Sequence, residues 1–417
     1  MYIFPGYTVY CEKENSLNVS SKLFRNEVKI TEPELKEEFY SLVKNGGCTD
    51  ISTPLTKFLH EQDLLVNETE IKTALENAKS LLRNSLLLTI MPTENCNFRC
   101  PYCYETHNSS IMSPQTLYWI HDYIKKQIPK FEKLCISWFG GEPTLCKNII
   151  LETSKLIQSL QKEYHFIYNA GMTTNGYLLD KETFILYYNL GITGYQITLD
   201  GWNHDKTRPH ISGKGTLKQI VDNLLEISSL PQDKYQFNIV IRHNILANDN
   251  DYSWYDYLNR LFGKDKRFSI KIALVKDWGG DSVKNLNLSQ SKQGESLKKL
   301  HESYLDKIGL QREKQNNTPF CNICYASCPY GFIFRSNGKV EKCTIAIDNP
   351  NNQVGYIDPQ KGVIIDKQSS DKWCHSEINQ KCYTCSDVLS CLNIFCRKKI
   401  IIDGYPDKDC LCSITEQ

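Results

Sequence analysis

The sequence predicts an α/β fold built on six parallel strands, preceded by a small mixed module and followed by a cysteine-rich segment. Three observations predict it. Between residues 85 and 275, six short apolar, β-branched runs alternate with amphipathic helical patterns. Polar or glycine-rich signals sit at the carboxyl ends of four of those runs. More than half of the 18 cysteines lie after position 320, which marks that stretch as a metal-binding region rather than one with scattered core thiols. At 417 residues the chain exceeds the usual size of a single core and accommodates two or three domains.

Taken in order, YTVYCEK and SLNVSS near the N-terminus read as short strands. TEPELKEEFYSLVKNG (31–46) reads as a helix, with Thr31 as N-cap and Glu34 three residues on completing a capping box. TPLTKFLHEQ (53–62) supplies a second helical piece. Strands, short helices and a wing over 1–83 predict a winged-helix-like module. A DNA-binding version would carry a basic recognition face, whereas this segment is rich in Glu.

The strand candidates that follow are SLLLTIM (85–91), LCISWF (134–139), FIYNAGMT (166–173), YQITLD (195–200), YQFNIVIR (235–242) and FSIKIALV (268–275). Between them, 113–128 has Ser113 as N-cap and Pro114 at the first helical position. The helix over 180–190 is closed by Gly191, and 216–228 forms a third. Strand–helix repeats imply parallel strands with crossover helices. Both an open doubly wound sheet and a partial barrel satisfy the pattern. The cysteine loop follows the first strand, GGEP (140–143) the second, TTNG (173–176) the third and LDG (199–201) the fourth. Each alone is a plain turn signal. Together they mark the end where parallel α/β folds bind ligands.

The stretch ENCNFRCPYCYE (94–105) places Cys96, Cys100 and Cys103 as Cys-x3-Cys-x2-Cys. A disulfide would leave one thiol over. A zinc site, the competing reading, usually closes four-coordinate from paired Cys-x2-Cys hooks, and no His stands at ligand spacing here. Three thiolates on a four-iron cubane leave one iron open to a substrate or cofactor. The N-terminus lacks the basic and apolar regions of a signal peptide and no run of about 18 apolar residues appears, so a cytoplasmic protein without a membrane partner is expected. The net charge of +1 gives no argument for nucleic acid.

These residues resemble the radical S-adenosylmethionine (SAM) superfamily, whose mark is Cys-x3-Cys-x2-Cys after the first strand of a partial (β/α)6 TIM-like barrel, with an aromatic residue, here Tyr102, before the last cysteine. The resemblance implies a [4Fe-4S] cluster on Cys96, Cys100 and Cys103 that binds SAM at its open iron. The cluster then cleaves SAM reductively to a 5′-deoxyadenosyl radical that abstracts a substrate hydrogen. It also implies that Gly140, Gly141 and Glu142 hold the methionine amino group. Thr174, Asn175, Thr198 and Arg208 would contact ribose or carboxylate, and Tyr102 would lie near the adenine. The bland reading of Arg208 is a solvated surface side chain.

The C-terminal cysteines resemble the SPASM extension of such enzymes. Cys328 and Cys343 stand in a Cys-x9-Gly-x4-Cys frame around Gly338, followed by Cys382, Cys385, Cys391 and Cys396, then Cys410 and Cys412. Four residues rather than three separate Cys391 from Cys396, which departs from the family spacing. The resemblance implies two auxiliary [4Fe-4S] clusters, three clusters in all. One would use Cys328, Cys343 and Cys396 with Cys321 or Cys324; the other would use Cys382, Cys385, Cys391 and Cys410 or Cys412. Paired Cys-x2-Cys hooks would also suit zinc. The implied organisation is a winged-helix-like leader-peptide recognition module (1–83), a radical SAM barrel (84–300) and a SPASM domain (301–417).

The expected function is that of a peptide maturase. It would bind a ribosomal precursor peptide by its leader, with a flavodoxin- or ferredoxin-type electron donor, and form a thioether or carbon–carbon crosslink. Anaerobic sulfatase maturases share this architecture but usually carry Asp directly after the second cysteine of the Cys-x9–15-Gly-x4-Cys frame, where this chain has Thr344. A non-enzymatic reading is an iron–sulfur electron carrier or a zinc-scaffolded binding protein.

Overall fold

The computed structural model describes residues 1–13, 15–21, 27–247, 249–278, 282–286, 288, 291–313, 324–374, 383–384 and 397–403. The chain divides into two compact units. One comprises 1–84, 315–330 and 368–417; the other comprises 85–314 and 331–367.

In the first unit, β1 (Tyr2–Ile3) is followed by β2 (Thr8–Lys13), β3 (Ser16–Ser21) and β4 (Glu27–Ile30), then α1 (Pro33–Lys44), α2 (Pro54–Glu61), β5 (Val66–Asn67) and α3 (Glu68–Arg83). The β2, β3 and β4 strands form an antiparallel sheet in that order, and β1 pairs with β5. Leu17, Val19, Val28 and Ile30 from the sheet join Phe39, Leu55, Leu59, Leu64 and Leu65 in one apolar cluster. The alternation of buried and exposed residues along β4 is what a half-buried strand requires. α2 begins with a reciprocal cap: Thr56 N donates to Thr53 Oγ1 at 3.1 Å and Thr53 N to Thr56 Oγ1 at 3.0 Å. α1 corrects the sequence reading. Its N-cap is Glu32, not Thr31, and no side chain caps it. Pro33, which suits the first helical position, moves the start by one residue, and Thr31 Oγ1 donates instead to Glu32 Oε1 at 3.1 Å.

The second unit carries β6 (Ser85–Ile90), α4 (Pro114–Gln127), β7 (Lys133–Trp138), α5 (Lys147–Tyr164), β8 (Ile167–Thr174), α6 (Lys181–Asn189), β9 (Ile192–Thr198), α7 (His204–Thr207), α8 (Leu217–Ser228), β10 (Asn238–Ile245), α9 (Ser253–Phe262), β11 (Phe268–Leu274), α10 (Ser291–Ile308) and β12 to β15 (Gly331–Phe334, Lys339–Glu341, Gln353–Asp358, Gly362–Ile365). The six strands expected between 85 and 275 are all present and pair in parallel, in the order β11-β10-β9-β8-β7-β6. An unbroken sequential order has no switch point, so the architecture is the partial barrel and not the doubly wound sheet. β12 continues the same sheet as a parallel neighbour of β6, and β13 to β15 add an antiparallel ladder beyond it. α10 runs across the 300/301 boundary expected from sequence.

β10 lies three residues later than its sequence pattern suggested. The polar pair His243-Asn244 lies beyond the strand candidate and reads as loop, yet both residues pair with β11. Ser113 caps α4 by accepting from Thr116 N at 3.0 Å, and Gly191, at φ +86°, ends α6 in the left-handed conformation that glycine adopts without strain.

Candidate active site

The carboxyl ends of β6 to β11 surround a cavity of about 340 Å³. Its wall includes Cys96, Cys100 and Cys103, and also Tyr102, Gly140, Gly141, Thr174, Asn175, Thr198 and Arg208. Residues separated by more than a hundred positions in sequence therefore meet at one site, through the shared polarity of the parallel strands.

The cysteine loop is held from three sides. Thr93 Oγ1 donates to Ser110 O at 2.8 Å and accepts from Asn95 N at 3.0 Å. Arg99 N donates to Pro209 O and Ile211 N to Asn97 O, at 2.9 and 2.8 Å. The third side is GGEP. Gly141 N donates to Thr93 O and Glu142 N to Asn95 O, at 3.2 and 2.9 Å. A Cβ on Gly140 would stand 2.4 Å from Thr93 O, and one on Gly141 2.2 Å from Asn95 O. The glycine pair is thus required by the close approach of two backbones.

Glu142 is fully buried and its carboxylate is committed to the wall. It accepts from Thr144 N, Thr144 Oγ1, Thr174 Oγ1 and Asn175 N at 3.0, 2.6, 2.7 and 2.7 Å. This carboxylate fastens the ends of β7 and β8 together, and its neighbours Gly140 and Gly141 line the cavity. Asn175 Nδ2 reaches Asn97 Oδ1 at 2.7 Å, linking the third strand end to the cysteine loop.

Arg208 is buried, not solvated. Its Nη1 donates to Tyr102 Oη at 2.9 Å, its guanidinium lies 5.6 Å from the Phe98 ring centroid, and its Nε has no partner among the described residues. Tyr102 Oη donates to Asp200 Oδ2 and accepts from Asn244 Nδ2. Asp200 and Asn244 were missed in the sequence. Their only signal is position: Asp200 belongs to LDG, and Asn244 alternates with Arg242 on the cavity side of β10. Arg335 was also missed. It is fully buried, with Nη2 2.8 Å from Glu94 Oε2 and Nη1 3.0 Å from Glu341 Oε1 and 2.6 Å from Asp348 Oδ1.

Burial pushes the Cys96 thiol up to about 12, reinforced by the Glu142 charge, and also raises Cys100 and Cys103. As free thiols the three would stay protonated. A cationic metal group displaces those protons and makes thiolates the stable form. Among the described residues no three His, Cys, Asp or Glu side chains are grouped closely enough to hold a single metal ion. The three thiols on this wall, beside a buried guanidinium with a spare N–H, therefore suit a multi-iron cluster, whose thiolate ligands stand farther apart, with an anionic ligand alongside. The residues fit that group.

Of the expected auxiliary ligands, Cys343 is buried in the second unit. Its N donates to Asn352 Oδ1 at 2.8 Å, and Asn352 Nδ2 returns to Cys343 O at 2.9 Å. In the first unit, Cys328 is buried and Cys324 half-buried. Cys321, Cys382, Cys385, Cys391, Cys396, Cys410 and Cys412 lie outside the described residues.

Fold and site together define a chain carrying a radical SAM domain: residues 90–254 match the Radical SAM superfamily. Among curated proteins, the chain is similar to molybdenum cofactor biosynthesis protein 1 of Dictyostelium discoideum, 27% identical over 288 residues that cover 64% of this chain and 41% of that protein. It is similar also to GTP 3′,8-cyclase of Petrotoga mobilis, 26% identical over 240 residues covering 56% of this chain and 67% of that one. The match thus spans less than half the length of the Dictyostelium protein. Among solved structures, anSMEcpe with bound AdoMet and Kp18Cys peptide superposes with a TM-score of 0.52 at 18% identity, covering 77% of this chain and 88% of that one. Streptococcus suis SuiB bound to precursor peptide SuiA gives 0.50 at 12% identity, covering 93% and 94%. At these identities the structural likenesses show the fold, which is the radical SAM α/β fold. Among the described residues no helix is long and apolar enough to cross a membrane.

Proposed function

We propose that the chain is a radical SAM enzyme that modifies a ribosomal precursor peptide. The observation that carries this reading is the placement of Cys96, Cys100 and Cys103 on one wall of the cavity at the carboxyl ends of the barrel strands. Cys96, Cys100 and Cys103 would hold the [4Fe-4S] cluster, which would supply the one-electron reduction needed to cleave SAM and so the radical chemistry for hydrogen abstraction. The chain's own residues position the reactants. Arg208 offers its free Nε to the SAM carboxylate. Thr174, Asn175 and Thr198 line the ribose side, and Tyr102, pinned by Asp200 and Asn244, fixes the wall at the last cysteine.

The peptide part of the reading is supported by the three-stranded sheet and helices of 1–83, since strand addition to such a sheet is a common mode of peptide capture. It is supported also by likeness over nearly the whole chain to a protein whose structure holds a precursor peptide. Cysteines beyond 320 would hold two auxiliary clusters in a SPASM domain, and a flavodoxin or ferredoxin would supply electrons. A second reading, nucleotide cyclisation, is favoured by the named sequence relatives.

The test is anaerobic purification with iron and sulfide analysis, then SAM cleavage driven by dithionite. About twelve irons per chain with 5′-deoxyadenosine formed supports the reading. Replacing Cys96, Cys100 and Cys103 by Ala should abolish cleavage and leave about eight irons. Iron without any SAM cleavage, or zinc in its place, defeats it. Turnover on GTP, with none on any short peptide encoded beside this chain, selects the second reading.

A further inference from the structure

In the order of the parallel strands, β10 and β11 stand at the far end from β6, whose following loop carries the three cysteines. Arg242 on β10 and Lys276, just beyond the end of β11, both line the central cavity. Arg242 is half-buried and Lys276 is exposed. The Arg242 guanidinium is held by one edge. Its Nε donates to Asn244 Oδ1 at 2.8 Å. Asn244 is itself fixed, with Nδ2 donating to Tyr102 Oη at 3.2 Å and its backbone N to Asp200 Oδ1 at 3.1 Å. Neither Nη of Arg242 has a hydrogen-bond partner among the described residues, and neither Arg242 nor Lys276 is paired with a carboxylate among them.

The charges on the cavity wall are unequal. Arg208, Arg242 and Lys276 are cationic, against the one carboxylate of Glu105 among the described lining residues. A cofactor does not even this out. A cluster on three thiolates is net negative and SAM is net positive, so the two largely offset each other. The carboxylate that SAM brings is already matched by Arg208. Arg242 and Lys276 are left as cations without counter-charge in a partly desolvated cavity, which favours an anion there.

We propose that Arg242 and Lys276 receive a substrate carboxylate, borne by an aspartyl or glutamyl side chain at or beside the residue that reacts. A guanidinium anchored through Nε still presents N–H donors from both Nη groups, and these suit a carboxylate oxygen pair. Lys276 adds a point charge at the rim on a flexible stem. A nucleotide triphosphate carries more negative charge than these two cations offset. The inference rests on the peptide reading above and names the kind of side chain that such a peptide presents.

The test uses the full-length protein, reconstituted anaerobically and saturated with SAM. Calorimetry compares the N-acetylated, C-amidated tripeptides Gly-Glu-Gly, Gly-Asp-Gly, Gly-Gln-Gly and Gly-Lys-Gly, with GTP alongside. An acidic tripeptide should bind about tenfold or more tightly than its Gln counterpart. Arg242→Gln should remove that preference. Lys276→Gln, on the exposed rim where folding is least disturbed, should reduce it several-fold. Arg242→Glu should turn the preference toward Gly-Lys-Gly, a reversal that a merely structural role would not produce. No binding of either acidic tripeptide, equal binding of the Gln tripeptide, or a preference that survives in both Gln variants overturns the proposal. An equal loss of SAM affinity in Arg242→Gln assigns the guanidinium to the cofactor and also overturns it. Tighter binding of GTP than of the acidic tripeptides, lost in the same variants, assigns the cations to phosphate and does the same. SAM cleavage by dithionite, measured without peptide on the same preparations, separates the two readings. Cleavage with no acidic preference sinks this inference alone, whereas absence of cleavage sinks the radical SAM reading.

Discussion

Arg335 Nη2 and Glu94 Oε2 lie 2.8 Å apart, both buried, and join the turn after β12 to the segment that opens the cysteine loop. The same guanidinium serves Glu341, two residues before Cys343. One side chain therefore links the loop carrying Cys96, Cys100 and Cys103 with the hairpin carrying Cys343.

Arg335→Met should destabilise the protein by about 3–5 kcal/mol, since it strands Glu94 and Glu341 as buried charges without a partner. Denaturant unfolding measures the loss. Adding Glu94→Gln should recover part of it, because the two residues share one network. Additive losses in the double variant would refute this coupling.

Tyr102→Phe removes the hydroxyl that Asp200, Arg208 and Asn244 share. The cost to stability should be about 1–2 kcal/mol. Iron content should stay as in the parent, since no thiol is touched, while SAM binding weakens several-fold as Arg208 loses its anchor. An unchanged SAM affinity would show that Tyr102 is packing alone.

Gly141→Ala places a methyl against the Asn95 carbonyl, and a backbone neighbour cannot rotate away. A loss of about 1–3 kcal/mol is expected, with incomplete iron loading, because the cysteine loop is what must move. Iron analysis beside a thermal melt decides it; full loading with an unchanged melting temperature would sink the claim.

His204 is fully buried, and burial, helped by the Arg208 charge, lowers its pKa to about 4. The unfolded imidazole titrates near 6.5, so between those values the unfolded chain binds more protons and stability rises with pH. The contribution, about 3 kcal/mol, is complete above pH about 6.5 and is lost as pH falls toward 4. His204→Gln keeps an acceptor for the Asp200 N–H and removes the titration. Its urea midpoint should fall less between pH 7 and pH 5 than that of the parent, and equal falls would exclude His204 as the cause.

Sequence periodicity made the barrel legible because its strands are β-branched, apolar and separated by capped helices. The three cysteines and the glycine pair were legible because their roles depend on residue type at fixed spacing. Glu142 and Arg208 were named as cofactor contacts only through the family resemblance, with their burial and partners not legible, and Arg335 was missed. A charged residue in a sequence carries no mark of burial, and each acquires its role from partners that only the sheet brings near: Asn175 for Glu142, Tyr102 for Arg208, Glu94 for Arg335. The polar end of β10 was lost for the reverse reason, since His243 and Asn244 look like loop residues but are held by pairing with β11.

The pairing of β12 with β6 also sets a timetable for biosynthesis. β6 emerges early, yet the strand that covers its outer edge begins at Gly331, about 240 residues later in the chain. At about 5–20 residues per second, that edge waits roughly 12 to 50 s on the ribosome with its backbone groups unpaired. During that interval the newborn barrel is at its most adhesive, and the cysteine loop beside the same strand is at its most accessible to whatever delivers iron and sulfide.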